Sequence, residues 1–262
     1  MSTQMSTDDT PPVAWDEQGF PYSPRFGDRY RSEGVDGLGG LAQARHVFLA
    51  GCGLCASDGT PMADTAWAAR PSWRILENGF GLGLNFLAAW QLWQRDPQRP
   101  ATLVYDATEA FPPSADDILH GARPFPELQT LAHRLAAHWS GLLRTGELLL
   151  EQDAIHLRLH IGEALPALQG MAPPASVDTA IDSVFLDGFA PRLNPAMWSS
   201  EVMQAIGHLA RPGTRATTWC VARGVRDALA DAGFAVAKRN GLPPKRHCLV
   251  AFWEQPLPDD LK

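Results

Sequence analysis

Three short stretches of the sequence bring chemically capable side chains to the ends of apolar runs. In "ILENGFGLGLNF", Ile75 to Phe86, the glycines Gly79, Gly81 and Gly83 stand with Phe80 between a strand-like run and a helix-like one. Glycines there let the backbone approach a ligand, and the helix start offers free N–H groups. The same spacing occurs in nucleotide and flavin sites, in S-adenosylmethionine sites and in plain tight turns. Glu77, just ahead of the glycines, sets a carboxylate against any pyrophosphate but suits the cationic amino-acid part of S-adenosylmethionine. In "TLVYDATE", Thr102 to Glu109, the final acid lies 26 positions after Gly83, where a carboxylate can accept from both ribose hydroxyls. Glu163, after Gly162, can accept from an adenine amino group or start the next helix. In "SVFLDGFAPRLNPAMW", Ser183 to Trp198, one acid, Asp187, closes an apolar strand and is followed by a proline-stiffened loop. Asp187 is expected to face the reactive carbon of a cofactor. Phe189, Pro191 and Trp198 are expected to wall a pocket for a flat base or ring.

These residues need a sheet whose strands end along one edge. "WRILE", "TLVYDATE", "HLRLHIG" and "SVFL" read as strands, separated by helix-like segments such as "LNFLAAWQLWQR". Such alternation predicts an α/β fold, a mostly parallel sheet with helices on both faces. The last two extended runs, "FAVAKRNG" and "RHCLVAFW", suit an antiparallel hairpin. The organisation expected is a disordered N-terminus over 1–12, an N-terminal extension over 13–72 packed on the core, a catalytic domain over 73–256 and a tail over 257–262. A helical insertion of two or three short helices is expected over about 112–145. Within the extension, "RHVFLAG", Arg45 to Gly51, reads as a short strand.

The chain of 262 residues is 45% hydrophobic and 19% charged, an ordinary globular composition able to bury a full core. It has no apolar run long enough to span a membrane, and its first residues are polar and acidic, unlike a signal peptide, so a cytoplasmic protein is expected. A net charge of −7 argues against coating nucleic acid by bulk electrostatics. Between Arg211 and His247, however, eight Lys or Arg residues face only Asp227 and Asp231, enough for one basic face. Cys52 and Cys55 form a lone C-x-x-C in a Gly-rich turn, without a second pair to complete a tetrahedral site. No metal is expected.

The motifs together resemble a known family: the methyltransferases that complete 5-methylaminomethyl-2-thiouridine at the tRNA wobble position, found as the N-terminal half of a bifunctional enzyme and as stand-alone proteins. The resemblance runs in order through "FPYSPRFGDRYRS", "ENGFGLGLNF", "EAFP", "FLDGFAPRLNPAMW", "LARPG", "DAGFAVAKRNG" and "KRHCLV", nearly the whole chain. It implies a Rossmann-like class I S-adenosylmethionine-dependent fold, methyl transfer to the primary amine of an aminomethyl-uridine, and tRNA, bound at its anticodon loop, as substrate. It further implies that Glu77, Gly79, Phe80, Gly81, Gly83, Asn85, Glu109, Glu163 and Asp187 contact the cofactor and that Asp187 is catalytic. Arg223, Lys245 and Arg246, in the basic segment, are expected to join Phe189, Pro191 and Trp198 in holding the RNA. The sequence departs from the family pattern at Leu82, usually Thr, in "DRYRS" (Asp28 to Ser32), and in "TWCVARGVRD" and "GLPPKRH". The chain ends near Lys262 with no room for a flavin-dependent oxidase half, so separate upstream enzymes are expected to supply the aminomethyl-uridine. The readings set beside this one are methylation of another amine, a nicotinamide-dependent oxidoreductase and a non-catalytic RNA-binding module.

Overall fold

The computed structural model describes residues 10–34, 39–152 and 154–254. The expected disordered N-terminus therefore falls outside the described residues except for 10–12, and the expected tail lies wholly outside them. The first element is a small antiparallel sheet of β1 (Ala14–Trp15), β2 (Pro21–Ser23) and β3 (Asp28–Arg29). A short helix α1 (Gly39–Gln43) then runs into a π-helical turn over Ala44–Leu49.

That turn corrects the strand expected at Arg45–Gly51. Ala44 and four successive residues, His46, Val47, Phe48 and Leu49, are buried there. A short apolar run enclosed on all sides carries no period that separates strand from helix, and here packing against a neighbouring helix decides. The thiols that follow are plain buried groups. Cys52 Sγ lies 3.4 Å from the Arg215 carbonyl, and burial pushes the Cys52 and Cys55 thiols up to about 11 and about 12.

The main sheet has eight strands in the order β10-β11-β9-β8-β4-β5-β7-β6. These are β4 (Ser72–Asn78), β5 (Thr102–Glu109), β6 (Glu147–Leu150), β7 (Ile155–Ile161), β8 (Ile181–Leu186), β9 (Ala210–Thr218), β10 (Phe234–Asn240) and β11 (His247–Trp253). The five central strands are parallel, while β6, β10 and β11 join through antiparallel pairs. The expected terminal hairpin is β10–β11, with seven paired positions. Strand β8 is buried at every residue, as befits a parallel strand covered on both faces.

Helices supply that cover. On one face α2 (Leu84–Arg95) and α4 (Gln129–Thr145) build a core around Phe86, Trp90, Tyr105, Trp139 and Phe185. On the other, α5 (Ala164–Gln169), α6 (Ser200–Gly207) and α7 (Arg223–Asp231) enclose Leu76, Val184, Leu186, Met203 and Leu229. The insertion is helical over the expected span, with one helix longer than expected. It consists of α3 (Ala115–Ala122), started by a capping box at Ser114 and Asp117, then a single tight turn and the 17-residue α4. The run "RATTWCV", Arg215 to Val221, reads as a strand from its sequence; strand β9 instead starts at Ala210 and stops at Thr218, which leaves Trp219 in the loop beyond the strand.

The register of the central strands sets the site. Asn78 of β4 pairs with Thr108 of β5 and with Leu186 of β8, and Glu109 pairs with Ile161 of β7. One residue further on, Gly79, Asp187 and Gly162 emerge beside Glu109 along one sheet edge. Since β4 has β5 on one side and β8 on the other, this edge is where the strand order reverses, the place open α/β sheets bind ligands.

Candidate active site

A cleft lies along this edge, enclosing about 1060 Å³ including its open mouth. Its floor is the turn after β4, with Gly79 and Gly81, and its sides come from Glu109, Gly162, Glu163 and Asp187. Gly79 has φ +95°, and a Cβ there would lie 2.9 Å from Met197 Cε and 3.1 Å from the Asp187 carbonyl oxygen. Both backbone geometry and space require glycine at this position. The Gly79 and Phe80 amides donate to the Thr108 carbonyl, which stitches the turn to β5.

Glu109 is fixed by backbone donors: the Gly81 amide donates to Oε2 at 2.8 Å and the Phe111 amide to Oε1 at 2.9 Å. Burial raises its carboxyl above the usual range, and these amides pull it back. Asp187 is held more closely still. Oδ1 accepts from the Gly188 amide at 2.9 Å and from Trp219 Nε1 at 3.0 Å, and Oδ2 accepts from Asn85 Nδ2 at 2.9 Å. A carboxylate offers about four acceptor positions. Three are taken, and the remaining one is on Oδ2. Burial raises the Asp187 carboxyl, against the Gly188 amide, Asn85, Trp219 and the charge of Lys245.

Glu77 is placed differently. It is 1% exposed and absent from the cleft wall, with Asn85 Nδ2 donating to Oε1 at 2.7 Å and the Tyr105 hydroxyl to Oε2 at 2.9 Å. Burial drives its carboxyl well above the ordinary range, and the charge of Asp187 adds to this. Gly83, at the start of α2, and Phe80 complete the turn; Phe80 borders the cleft while stacking on Trp139 at 5.6 Å. Leu82 also lines the cleft and fits against the bare backbone of Gly121, where a Cβ would approach to 3.1 Å.

The loop after Asp187 forms one wall through Phe189, Asn194 and Met197. Phe189 stacks on Phe26 at 4.9 Å and meets Tyr30 edge-on at 5.1 Å. The Ala190 amide donates to Asp28 Oδ2 at 2.8 Å, tying the loop to β3. Trp198 does not face the cleft. It is 6% exposed in the second core, and its indole N–H donates to the Phe189 carbonyl at 2.8 Å, so it braces the wall from behind. Pro191 lies in the same loop outside the cleft lining.

The basic residues expected to hold the RNA are not gathered in the cleft. Arg223, whose side chain is 86% exposed, pairs with Asp227 on the outside of α7. Lys245 and Arg246 stand on the turn between β10 and β11, both exposed, and the Lys245 ammonium sits 3.6 Å above the Trp219 ring, the same ring that donates to Asp187. Sequence reasoning missed Phe26, Tyr30 and Arg31, which line the cleft from the small N-terminal sheet and the residues after it. The signal available was the density of aromatics and arginines in "FPYSPRFGDRYRS", where no periodicity marks which side chains point inward.

With this geometry in hand, comparison with known proteins is specific. Residues 126–254 match the model of a family described as S-adenosyl-L-methionine-dependent methyltransferase. A protein of Delftia acidovorans named tRNA 5-methylaminomethyl-2-thiouridine biosynthesis bifunctional protein MnmC is 50% identical over 244 residues, 93% of this chain and 35% of that protein. A protein of the same name from Thiobacillus denitrificans is 41% identical over 234 residues, covering 89% of this chain and 35% of its own length. The motifs resemble the same family that the names of these relatives carry, and the chain spans about a third of the length of these curated relatives. The crystal structure of MnmC2 from Aquifex aeolicus superposes with a TM-score of 0.68 at 21% identity, over 94% of this chain and 71% of that one, which shows a shared fold.

Proposed function

Given a chain whose residues 126–254 match the model of a family described as S-adenosyl-L-methionine-dependent methyltransferase, we propose that it is the N-methyltransferase that converts 5-aminomethyl-(2-thio)uridine to 5-methylaminomethyl-(2-thio)uridine at the tRNA wobble position. One observation carries the reading: Asp187 opens onto the same cleft as the glycine turn and Glu109, so a carboxylate suited to a cationic amine faces the cofactor's seat. The names of the relatives supply the identity of the base.

The residues present fit the cofactor. A Cβ at Gly162 would meet nothing within 4 Å, so the cleft is open beside the Gly79–Gly81 turn. In this reading the turn holds the amino-acid end, Glu109 the ribose hydroxyls, and Glu163 and Gly162 border the adenine. When bound, S-adenosylmethionine supplies an electrophilic methyl group on a sulfonium.

The chain's own residues then do the rest. The free acceptor position of Asp187 Oδ2 draws in and orients the aminomethyl group. An aliphatic ammonium has a pKa near ~10 by analogy with lysine, and as a cation it has no lone pair to offer. A carboxylate beside it raises that value further, so the amine must give up one proton, to Asp187 or to water, before its lone pair can attack, and Asp187 serves mainly to align it. Phe189, held against Phe26 and Tyr30, gives a flat apolar face for the base. An anticodon-loop uridine is already largely unpaired, which makes turning it into the cleft inexpensive. Arg223, Lys245 and Arg246 stand outside the cleft, where phosphates of the loop can reach them. The step needs a tRNA that already carries the aminomethyl group, and a cytoplasmic setting suits such a substrate. Among the described residues no helix is long and apolar enough to cross a membrane.

The test is transfer of a labelled methyl group from S-adenosylmethionine to tRNA carrying 5-aminomethyl-uridine. Label recovered in the wobble nucleoside supports the reading. Cofactor binding without transfer to this tRNA refutes it.

A further inference from the structure

The buried carboxylate behind the cleft has a task that cofactor binding does not explain. Glu77 is 1% exposed, does not border the cleft, and spends both oxygens on protein donors: Asn85 Nδ2 on Oε1 and the Tyr105 hydroxyl on Oε2. Asn85 is equally committed. Its two amide hydrogens go to two carboxylates, Glu77 at 2.7 Å and Asp187 at 2.9 Å. Two acceptor oxygens on one nitrogen also settle which way the amide faces. The result is a continuous chain, Tyr105–Glu77–Asn85–Asp187, that crosses from β5 through β4 and the first turn of α2 to the residue after β8.

We propose that Glu77 is a positioning residue for Asp187, acting through Asn85, and not a ligand for the ammonium of the cofactor's amino-acid end. Asp187 Oδ1 is filled by Gly188 and Trp219, so Asn85 decides where the last free position of Oδ2 points. Asn85 can hold that oxygen only while its second hydrogen is anchored, and Glu77 is the anchor. Tyr105, itself fully buried between Phe86 and Phe185, fixes the far end of the chain. The inference rests on the amine-methylation reading for its catalytic consequence, but the assignment of Glu77 does not.

Two variants separate the possibilities. Glu77→Gln keeps an acceptor for Asn85 while removing the charge, and Glu77→Leu removes both. Titration calorimetry with S-adenosylmethionine alone, which needs no acceptor, is expected to give a Kd for Glu77→Gln within about threefold of wild type. A hundredfold weaker Kd would make Glu77 a charge partner of the cofactor and overturn the inference. With tRNA carrying 5-aminomethyl-uridine at saturating cofactor, Glu77→Leu is expected to lower kcat at least about tenfold, and Glu77→Gln to recover most of that loss. Adding Glu77→Leu to Asp187→Asn should lower kcat no further than Asp187→Asn does, because the two residues act as one unit. Independent, multiplying losses would overturn the inference. Absence of transfer by the wild-type chain strikes the functional reading instead, and the calorimetry still decides what Glu77 binds.

Discussion

Asp187 and the groups around it account for most of what the site can do. Its carboxylate is oriented by three N–H donors from three parts of the chain, Asn85, Gly188 and Trp219. Asp187→Asn keeps the shape but replaces an acceptor with a donor and removes the charge that attracts an ammonium. Turnover on aminomethylated tRNA should fall on the order of a hundredfold or more, the usual loss for a positioned proton-transfer group, while calorimetric cofactor affinity stays within a few-fold. Equal losses in both would move Asp187 from the acceptor to the cofactor. The sequence singles out this residue because an acid directly after the apolar run of Val184, Phe185 and Leu186 has few structural reasons to be there. It did not announce Trp219, which sequence alone places inside a strand and the structure places just past one.

At the scale of elements, the sheet edge is held in register by charges as well as by hydrogen-bond ladders. Asp106, fully buried on β5, takes Arg74 Nε of β4 at 2.8 Å, with Arg158 at 3.2 Å and His160 Nε2 at 3.0 Å from β7. Burial alone would raise its carboxyl; His160 and the two guanidiniums outweigh that and hold it below the usual range. A carboxyl with a lowered folded pKa contributes stability that is present above its unfolded pKa, near ~3.9, and is lost as pH falls through the folded value. Asp106→Asn should therefore lose about 3–5 kcal/mol at neutral pH, the usual loss when one partner of a buried ion pair is removed. Denaturant unfolding across the acid range should also show a flatter pH dependence than wild type; an unchanged acid limb would mean that Asp106 does not set it. Elements with a clear period were legible from sequence: β4, the glycine turn, α2 and β5 all follow it. The π-helical turn at Ala44–Leu49 and the inward side chains of Phe26 and Tyr30 were not, because a continuously buried run and an irregular segment leave no periodic trace.

For the whole molecule, the proposed substrate sets an acidic chain against an acidic polymer. The net charge is −7, so any RNA affinity has to come from local cations near the cleft mouth. If Arg223 and Arg246 each meet a phosphate, replacing either with Ala should weaken tRNA binding for every sequence tested. It should also lower the slope of log affinity against log salt by roughly one. An unchanged slope removes that residue from the RNA path. The measurement that bears most directly on the central claim is mass spectrometry of wobble nucleosides from cells lacking the gene for this protein, complemented with the wild-type or the Asp187→Asn chain. The account predicts that 5-aminomethyl-uridine species accumulate without the protein, that the wild-type chain converts them to the methylaminomethyl form, and that Asp187→Asn leaves them unconverted. Wobble uridines that are fully methylated without the protein, or equally well converted by both chains, would contradict it.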